Sequence, residues 1–398
     1  MKIIYLVNDS PIQPCGGLGE RMIKLIPHLE KAGIEIFIYN AGKGGVLSKT
    51  VCTGLHVDCP AYGNPYPLMY ANFILDNPPP FKPDIVIATD HATVPAGKVL
   101  AKMYGSKLVT EFHLAYYSLR KALKEEELVG PMKLDQAARL IEIWEKIAIE
   151  ESDLIVGCSD FYVKEIPWKA KKAVAIQNGI DAHKYQGEHK PWKFEGGFKK
   201  NLVFIGRINT QKGLKHLMDF YGFIDNSGRS LVHLPKNYRL ELPEDTALHF
   251  VGGPVGGDQY DALLETVKNN PQKFHIPFVH GDEKIRLLKS ADAILFPSIH
   301  EPFGIVGLEA MAAGVPLITT RVNGISDYAN DANSIYCEAS ASSIRAAIDR
   351  LFAMPETEKK AMLEEAKKTA FFFNWERVAE IMVKELNDLM NEPKRKIA

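Results

Sequence analysis

Cysteine is scarce and scattered in this 398-residue chain. The five cysteines (Cys15, Cys52, Cys59, Cys158, Cys337) include no C-x-x-C pair. An odd number at wide spacing excludes a disulfide framework and a cysteine-rich zinc cage, and fits a reducing cytoplasm. An excess of one charge is missing too: 48 Lys plus Arg stand against 49 Asp plus Glu, a formal net charge of -1. No global field gathers nucleic acid or anionic lipid, so any anion site must be local. Long apolar runs are also absent. The longest, around residues 303–318, is interrupted by Glu309 and Pro316 and falls short of the roughly 18 to 20 apolar residues of a membrane span. The apolar opening Ile3–Val7 gives way to Asn8 and Asp9, too short for a signal-peptide core.

What is present is ordinary globular composition, 46% hydrophobic and 24% charged, at a length that predicts two or three domains at about 150 residues each. Short β-rich runs alternate with helical stretches: Ile3–Val7, Ile34–Tyr39, Ile85–Ala88, Leu108–Phe112, Leu154–Val156 and Val174–Ile176. That rhythm reads as βαβ units on a parallel sheet. Between the first two runs, Leu18, Met22, Leu25, Leu29 and Ala32 recur at helical spacing; Gly33 closes the helix and Pro27 is expected to kink it.

A second series starts at Leu202–Ile205 and continues through Leu248–Val251, Phe274–Val279, Ala293–Phe296, Leu317–Thr319 and Ile335–Tyr336. Between the series, Asn178-Gly179-Ile180-Asp181 and an aperiodic stretch to Lys200 read as a turn and linker. The expected architecture is α/β: two doubly wound Rossmann-like domains facing a central cleft, with ligands bound outside the carboxyl ends of the strands. Residues 223–243 fit no helix or central strand and read as an insertion or hairpin without an assigned role.

The most informative segment is His300-Glu301-Pro302-Phe303-Gly304-Ile305-Val306-Gly307-Leu308-Glu309-Ala310-Met311-Ala312-Ala313-Gly314-Val315-Pro316. Pro302 forbids a helix before it, Ile305–Ala313 is helix-compatible, and Gly314 with Pro316 ends it. Strand, loop and helix follow in that order. The amides of Gly304, Ile305 and Val306 then lie at the positive end of a helix, an apt seat for a phosphate. Glu309 is the only charged residue on a helix that looks buried nearly all round. It needs a partner, either a ligand hydroxyl or a protein Arg or Lys.

Elsewhere, Val203 to Gly213 reads as a strand, a turn and the start of a helix, with the cations Arg207 and Lys212 five residues apart at the strand's carboxyl end. Cys15-Gly16-Gly17-Leu18-Gly19 follows the first strand, where glycines let a backbone approach a ligand. His113-Leu114-Ala115-Tyr116-Tyr117 follows the strand 108–112, and Asp90-His91 follows another.

These segments resemble a known family. E-P-F-G-x-x-x-x-E-A-M-A-x-G-x-P, from Glu301 to Pro316, resembles the E-x7-E signature of retaining glycosyltransferases of the GT-B fold, family four (glycosyl transferases group 1). Gly206 to Gly213 is similar to that family's G-R-x-x-x-x-K-G element. Phe112 to Tyr116 resembles the H-N-L-A-Y segment of glycogen and starch synthases. Ser152–Ser159, Ile176–Asp181 and Asn374–Val378 resemble further elements of the same family.

The resemblance implies a GT-B fold with an acceptor-side domain at 1–180, a nucleotide-sugar donor domain at 181–375 and a C-terminal helix at 376–398 that crosses back to the first domain. It implies catalytic roles for His113, Arg207, Lys212 and Glu301. Arg207 and Lys212 would hold the donor diphosphate, Glu301 the transferred sugar and His113 its hydroxymethyl group. Donor contacts fall on Gly16, Gly17, Gly304, Ile305, Val306 and Glu309, the last binding the ribose.

Asp90, His91, Tyr116 and Tyr117 are placed on the acceptor side, with loops 43–70 and 116–130 lining it and Tyr62 and Tyr66 suited to stacking on sugars. No D-x-D motif or metal-ligand cluster is found, so no metal or other cofactor is expected. The expected activity is metal-independent, retaining transfer of a sugar from a nucleotide sugar to a carbohydrate or other hydroxyl acceptor. Nucleic acid is not expected as a partner, and Glu125, Glu126 and Glu127 after Arg120, Lys121 and Lys124 speak against a lipid surface. The alternatives are glycogen- or starch-synthase-like glucan elongation, from which Pro14 departs at the lysine of the K-x-G-G loop, a GT-B nucleotide-sugar epimerase, and a non-catalytic sugar-nucleotide scaffold.

Overall fold

A computed structural model describes residues 1–12, 17–55, 66–125, 135–225, 228–254 and 258–392. The chain divides into two compact units: Met1–Arg120 with Met132–Gly179 and Trp375–Ala398, and Ile180–Asn374 with Lys121–Pro131.

In the first unit the chain runs β1 (Lys2–Val7), α1 (Gly17–Lys31), β2 (Glu35–Asn40), β3 (Gly45–Leu47), β4 (Thr50–Gly54), α2 (Tyr66–Asp76), β5 (Ile85–Thr89), α3 (Asp90–Tyr104), β6 (Lys107–Phe112), α4 (Tyr116–Glu125), α5 (Asp135–Glu151), β7 (Leu154–Gly157), α6 (Asp160–Lys164) and β8 (Ala173–Ala175). The strands form one sheet in the order β3-β4-β2-β1-β5-β6-β7-β8, parallel except for β3 at its edge. Ile3 to Val7 are fully buried, as a central strand covered on both faces requires. Helix α1 buries Leu18, Met22, Leu25, Ile26 and Leu29 and remains one helix through Pro27.

The second unit contains β9 (Lys200–Ile205), β10 (Phe220–Asp225), β11 (Gly228–His233), β12 (Thr246–Val251), α7 (Asp258–Asn269), β13 (Lys273–Ile276), α8 (Gly281–Ser290), β14 (Ala293–Phe296), α9 (Ile305–Ala313), β15 (Leu317–Thr319), β16 (Ile335–Tyr336), α10 (Ala341–Ala353) and α11 (Glu356–Phe372). Its parallel sheet has the order β13-β12-β9-β14-β15-β16, and β10 and β11 form a separate antiparallel hairpin that begins at Phe220 and overlaps residues 223–243, where an insertion or hairpin is expected. The last helix, α12 (Trp375–Asn391), belongs to the first unit. Its Trp375, Val378, Met382 and Leu386 share a core with Met22, Leu25 and Leu29 of α1.

Three expectations need correction. The helix anticipated after Gly206 is instead two 3-10 turns, Thr210–Lys212 and Leu214–His216. Gly213 separates them at φ +70°, with the position of a Cβ only 1.9 Å from the Pro297 carbonyl oxygen, so the chain turns where an α-helix would continue.

The linker up to Lys200 is packed onto the second unit. The Trp192 amide donates to Ser290 Oγ (2.8 Å), Arg286 Nε donates to the Lys190 carbonyl (2.9 Å), and the Phe194 ring lies 4.5 Å from that of His249. Lastly, the stretches expected as acceptor-lining loops carry regular structure. Strands β3 and β4 and the start of α2 occupy the first, and α4 opens the second. Tyr62 lies outside the described residues, and Tyr70 is buried with its hydroxyl on the Val7 carbonyl (3.2 Å).

No helix among the described residues is long and apolar enough to cross a membrane.

Candidate active site

In the second unit the chain passes from β9 to β12 and β13 on one side, then returns to β14, β15 and β16 on the other. The reversal lies between β9 and β14, and the carboxyl end of such a switch point is where open α/β sheets bind ligands. Arg207 and Lys212 follow β9 there, and Glu301 follows β14.

The two loops are tied together. The Gln211 carbonyl accepts from the amides of Ile299 (3.0 Å) and His300 (3.3 Å), and Gln211 Nε2 lies 3.2 Å from His300 Nδ1. Lys212 Nζ thereby reaches Glu301 Oε2 and forms an ion pair with it. Burial pushes the Lys212 ammonium below the ordinary lysine range; Glu301 opposes that shift and the nearby Arg207 charge adds to it. Glu301 is held from behind as well. Ser298 Oγ lies 3.3 Å from its Oε2, Asn323 Oδ1 accepts from its amide (3.0 Å), and its carbonyl accepts from Gly324 (3.0 Å).

Gly304 precedes α9 at φ +88°. A Cβ there would stand 2.9 Å from Glu301 Cγ, Phe296 Cε1 and the Tyr328 hydroxyl. Only glycine lets the helix start so close to Glu301. The Tyr328 hydroxyl donates to the Gly304 carbonyl (2.7 Å). The Ile305 and Val306 amides lie in the first turn, ahead of any intrahelical acceptor. Farther along, Glu309 accepts from Lys284 Nζ (2.6 Å) and from the Tyr185 hydroxyl, whose pKa is raised first by burial and then by that carboxylate. The partner that a buried Glu309 required is therefore a protein cation and a protein hydroxyl together.

The sheet of the first unit has its own switch point, between β1 and β5. Gly16 lies outside the described residues, and Gly17 is the exposed first residue of α1. Asp9 Oδ2 accepts from the Gly19 amide in that first turn (2.9 Å). Asp90, at φ +49°, accepts from the amides of His113 (2.7 Å) and Leu114 (3.0 Å), so it shapes the loop that bears His113.

His113 Nε2 lies 3.2 Å from Glu111 Oε2. His91 is buried edge-to-face against Tyr116, with ring centroids 5.3 Å apart, and burial lowers its pKa. Tyr117 is committed to packing: its hydroxyl donates to the Tyr162 carbonyl (2.9 Å) and its ring meets Trp168 edge-on. Glu145 of α5 accepts from the Tyr116 (2.5 Å) and Tyr117 (3.0 Å) amides at the start of α4.

Sequence reasoning missed Arg21, Glu111, Glu145, Lys284 and Tyr185. Two of these had a signal. Glu111 stands two residues before His113 at the carboxyl end of β6, and Arg21 falls on the apolar stripe of α1.

Comparison with known proteins defines the class. Residues 188–369 match the family model for glycosyl transferases group 1, and residues 15–184 match that for glycosyltransferase family 4. The chain belongs to these glycosyltransferases, and its fold is GT-B. Among curated relatives, glycogen synthase of Mycobacterium tuberculosis is 25% identical over 95% of this chain and 92% of its own length. Among solved structures, sucrose-phosphate synthase from Thermosynechococcus elongatus superposes with a TM-score of 0.77 at 15% identity, covering 99% of this chain and 100% of that one. Anabaena HepE in complex with UDP-glucose gives 0.68 at 14% identity, covering 98% and 100%.

Proposed function

We propose that this glycosyltransferase moves a sugar from a nucleoside diphosphate sugar to a hydroxyl acceptor, with retention of anomeric configuration and without a bound metal. The observation that carries the reading is the joining of Lys212, Glu301 and the start of α9 at one switch point, beside Arg207. In this reading Arg207, Lys212 and the amides of Gly304, Ile305 and Val306 receive the diphosphate. Their fixed positive charge stabilises the negative charge that grows as the leaving group departs. Glu301 steadies the transferred sugar, Glu309 the ribose, and His113 a hydroxyl of the sugar. Gly16 and Gly17 approach the donor from the loop after β1, and Asp90, His91, Tyr116 and Tyr117 shape the acceptor side.

The acceptor oxygen attacks the anomeric carbon from the face the diphosphate leaves. The acceptor's proton passes to a diphosphate oxygen, and no carboxylate nucleophile is needed. The domain roles follow: 1–180 for the acceptor, 181–375 for the donor. The buried cysteines Cys52 and Cys337 suit a reducing cytoplasm.

A second reading, glucan elongation from a nucleotide-linked glucose, is favoured by the near full-length likeness to a glycogen synthase. The test is to incubate the protein with UDP-, ADP- and GDP-linked glucose, with and without glycogen and small sugars, and to follow the anomeric signal of the product by NMR. An axial linkage formed from an axial donor without added metal supports the proposal. An inverted linkage, or turnover that stops on chelation, refutes it. Incorporation into glycogen alone selects glucan elongation.

A further inference from the structure

Glu111 lies near the end of β6, and His113 follows two residues on, just past the strand's last residue, Phe112. The imidazole and the carboxylate stand side by side, with Nε2 3.2 Å from Oε2. The carboxylate is itself fixed. Its Oε1 accepts from the Tyr5 hydroxyl of β1 (2.9 Å), and Arg21 Nη2 lies 3.6 Å away. Arg21 donates through Nη1 to Asn178 Oδ1 (3.0 Å) and to the Gln177 carbonyl (3.2 Å). Tyr5, Arg21 and Glu111 have no exposed surface. Complete burial by itself would raise the Glu111 pKa, but Arg21, His113 and Tyr5 together bring it below the ordinary value. Apolar residues at both 21 and 111 would avoid dehydrating a guanidinium and a carboxylate, so stability alone does not select this network.

We infer that Glu111 is a positioning residue that holds His113 as the Nε2–H tautomer and presents Nδ1 as a hydrogen-bond acceptor to a sugar hydroxyl. A carboxylate only accepts, so the proton between the two groups resides on Nε2. Asp90 completes the arrangement by gripping the backbone of the same residue. The identity of the hydroxyl rests on the sugar-transfer reading; the tautomer does not.

The test is long-range 15N NMR of the full chain labelled at histidine, with the His113 ring assigned by its loss in His113→Asn. The expected result is a protonated Nε2 and an unprotonated Nδ1 in the neutral ring. In Glu111→Gln, whose amide can donate as well as accept, the expected result is a mixture of tautomers. The same variant is expected to lose about tenfold or more in kcat while the donor KM changes less than about threefold. A protonated Nδ1 in the native chain, or a tautomer or kcat unchanged in Glu111→Gln, overturns the proposal. Should Glu111→Gln not fold, the native spectrum decides alone. Failure of the transfer reading shows separately, as no consumption of any nucleotide sugar by a native chain that still carries the Nε2–H tautomer.

Discussion

Lys212 and Glu301 come from loops 89 residues apart and form a buried ion pair, with their side chains 12% and 7% exposed. Removing one partner leaves the other charge buried and uncompensated. Lys212→Met and Glu301→Gln are each expected to cost about 3 kcal/mol in urea denaturation. The double variant is expected to cost less than either. Additive losses would show that the pair is not coupled.

Gly213 sits where both φ and space exclude a side chain. Gly213→Ala must displace the Pro297 carbonyl, and with it the approach of Lys212 to Glu301. A loss of about 2 kcal/mol or more is expected in the denaturation midpoint, with transfer activity falling alongside. A midpoint within error of the native chain contradicts the close approach.

Burial raises the Glu145 carboxyl from 4.5 to about 8, against the two amides that favour its charged form. Between those values the folded chain holds a proton that the unfolded chain has released. This contribution to stability is full below about pH 4.5 and is lost as pH rises towards 8. The slope is at most about 1.4 kcal/mol per pH unit. Subtracting the pH profile of Glu145→Gln from that of the native chain cancels the other titrating groups, and the difference is expected to fall across this window. A flat difference means that Glu145 is ionised throughout.

Arg207 is only half-buried and contributes to the same positive region as Lys212. Arg207→Gln is expected to weaken nucleoside diphosphate binding about tenfold and to reduce its salt dependence, both readable by calorimetry. Unchanged affinity at low salt would place the guanidinium away from the phosphates.

The sequence makes local features legible and hides distant partnerships. Helix α9 has the bounds Ile305–Ala313 read from Pro302, Gly314 and an unbroken apolar run, because these signals act within a few residues. Strands β14, β15 and β16 likewise match their apolar runs. The 3-10 turns around Gly213 were not legible, since the obstructing carbonyl of Pro297 belongs to another loop. Nor were the partners of Glu111: Tyr5 is 106 residues away, and Arg21 is in turn bonded to Asn178, 157 residues farther along. Glu301 was readable as a candidate from its motif, whereas its brace by Asn323 depends on a separate strand-end loop.

The most direct measurement is calorimetric titration of a nucleoside diphosphate into the native chain, Lys212→Ala and Glu301→Gln, with sugar transfer assayed on the same preparations. Lys212→Ala is expected to bind the diphosphate about tenfold or more weakly and Glu301→Gln within about twofold of native, while both lose at least about a hundredfold in transfer. Native affinity in Lys212→Ala together with near-native transfer in both variants would contradict the site described here.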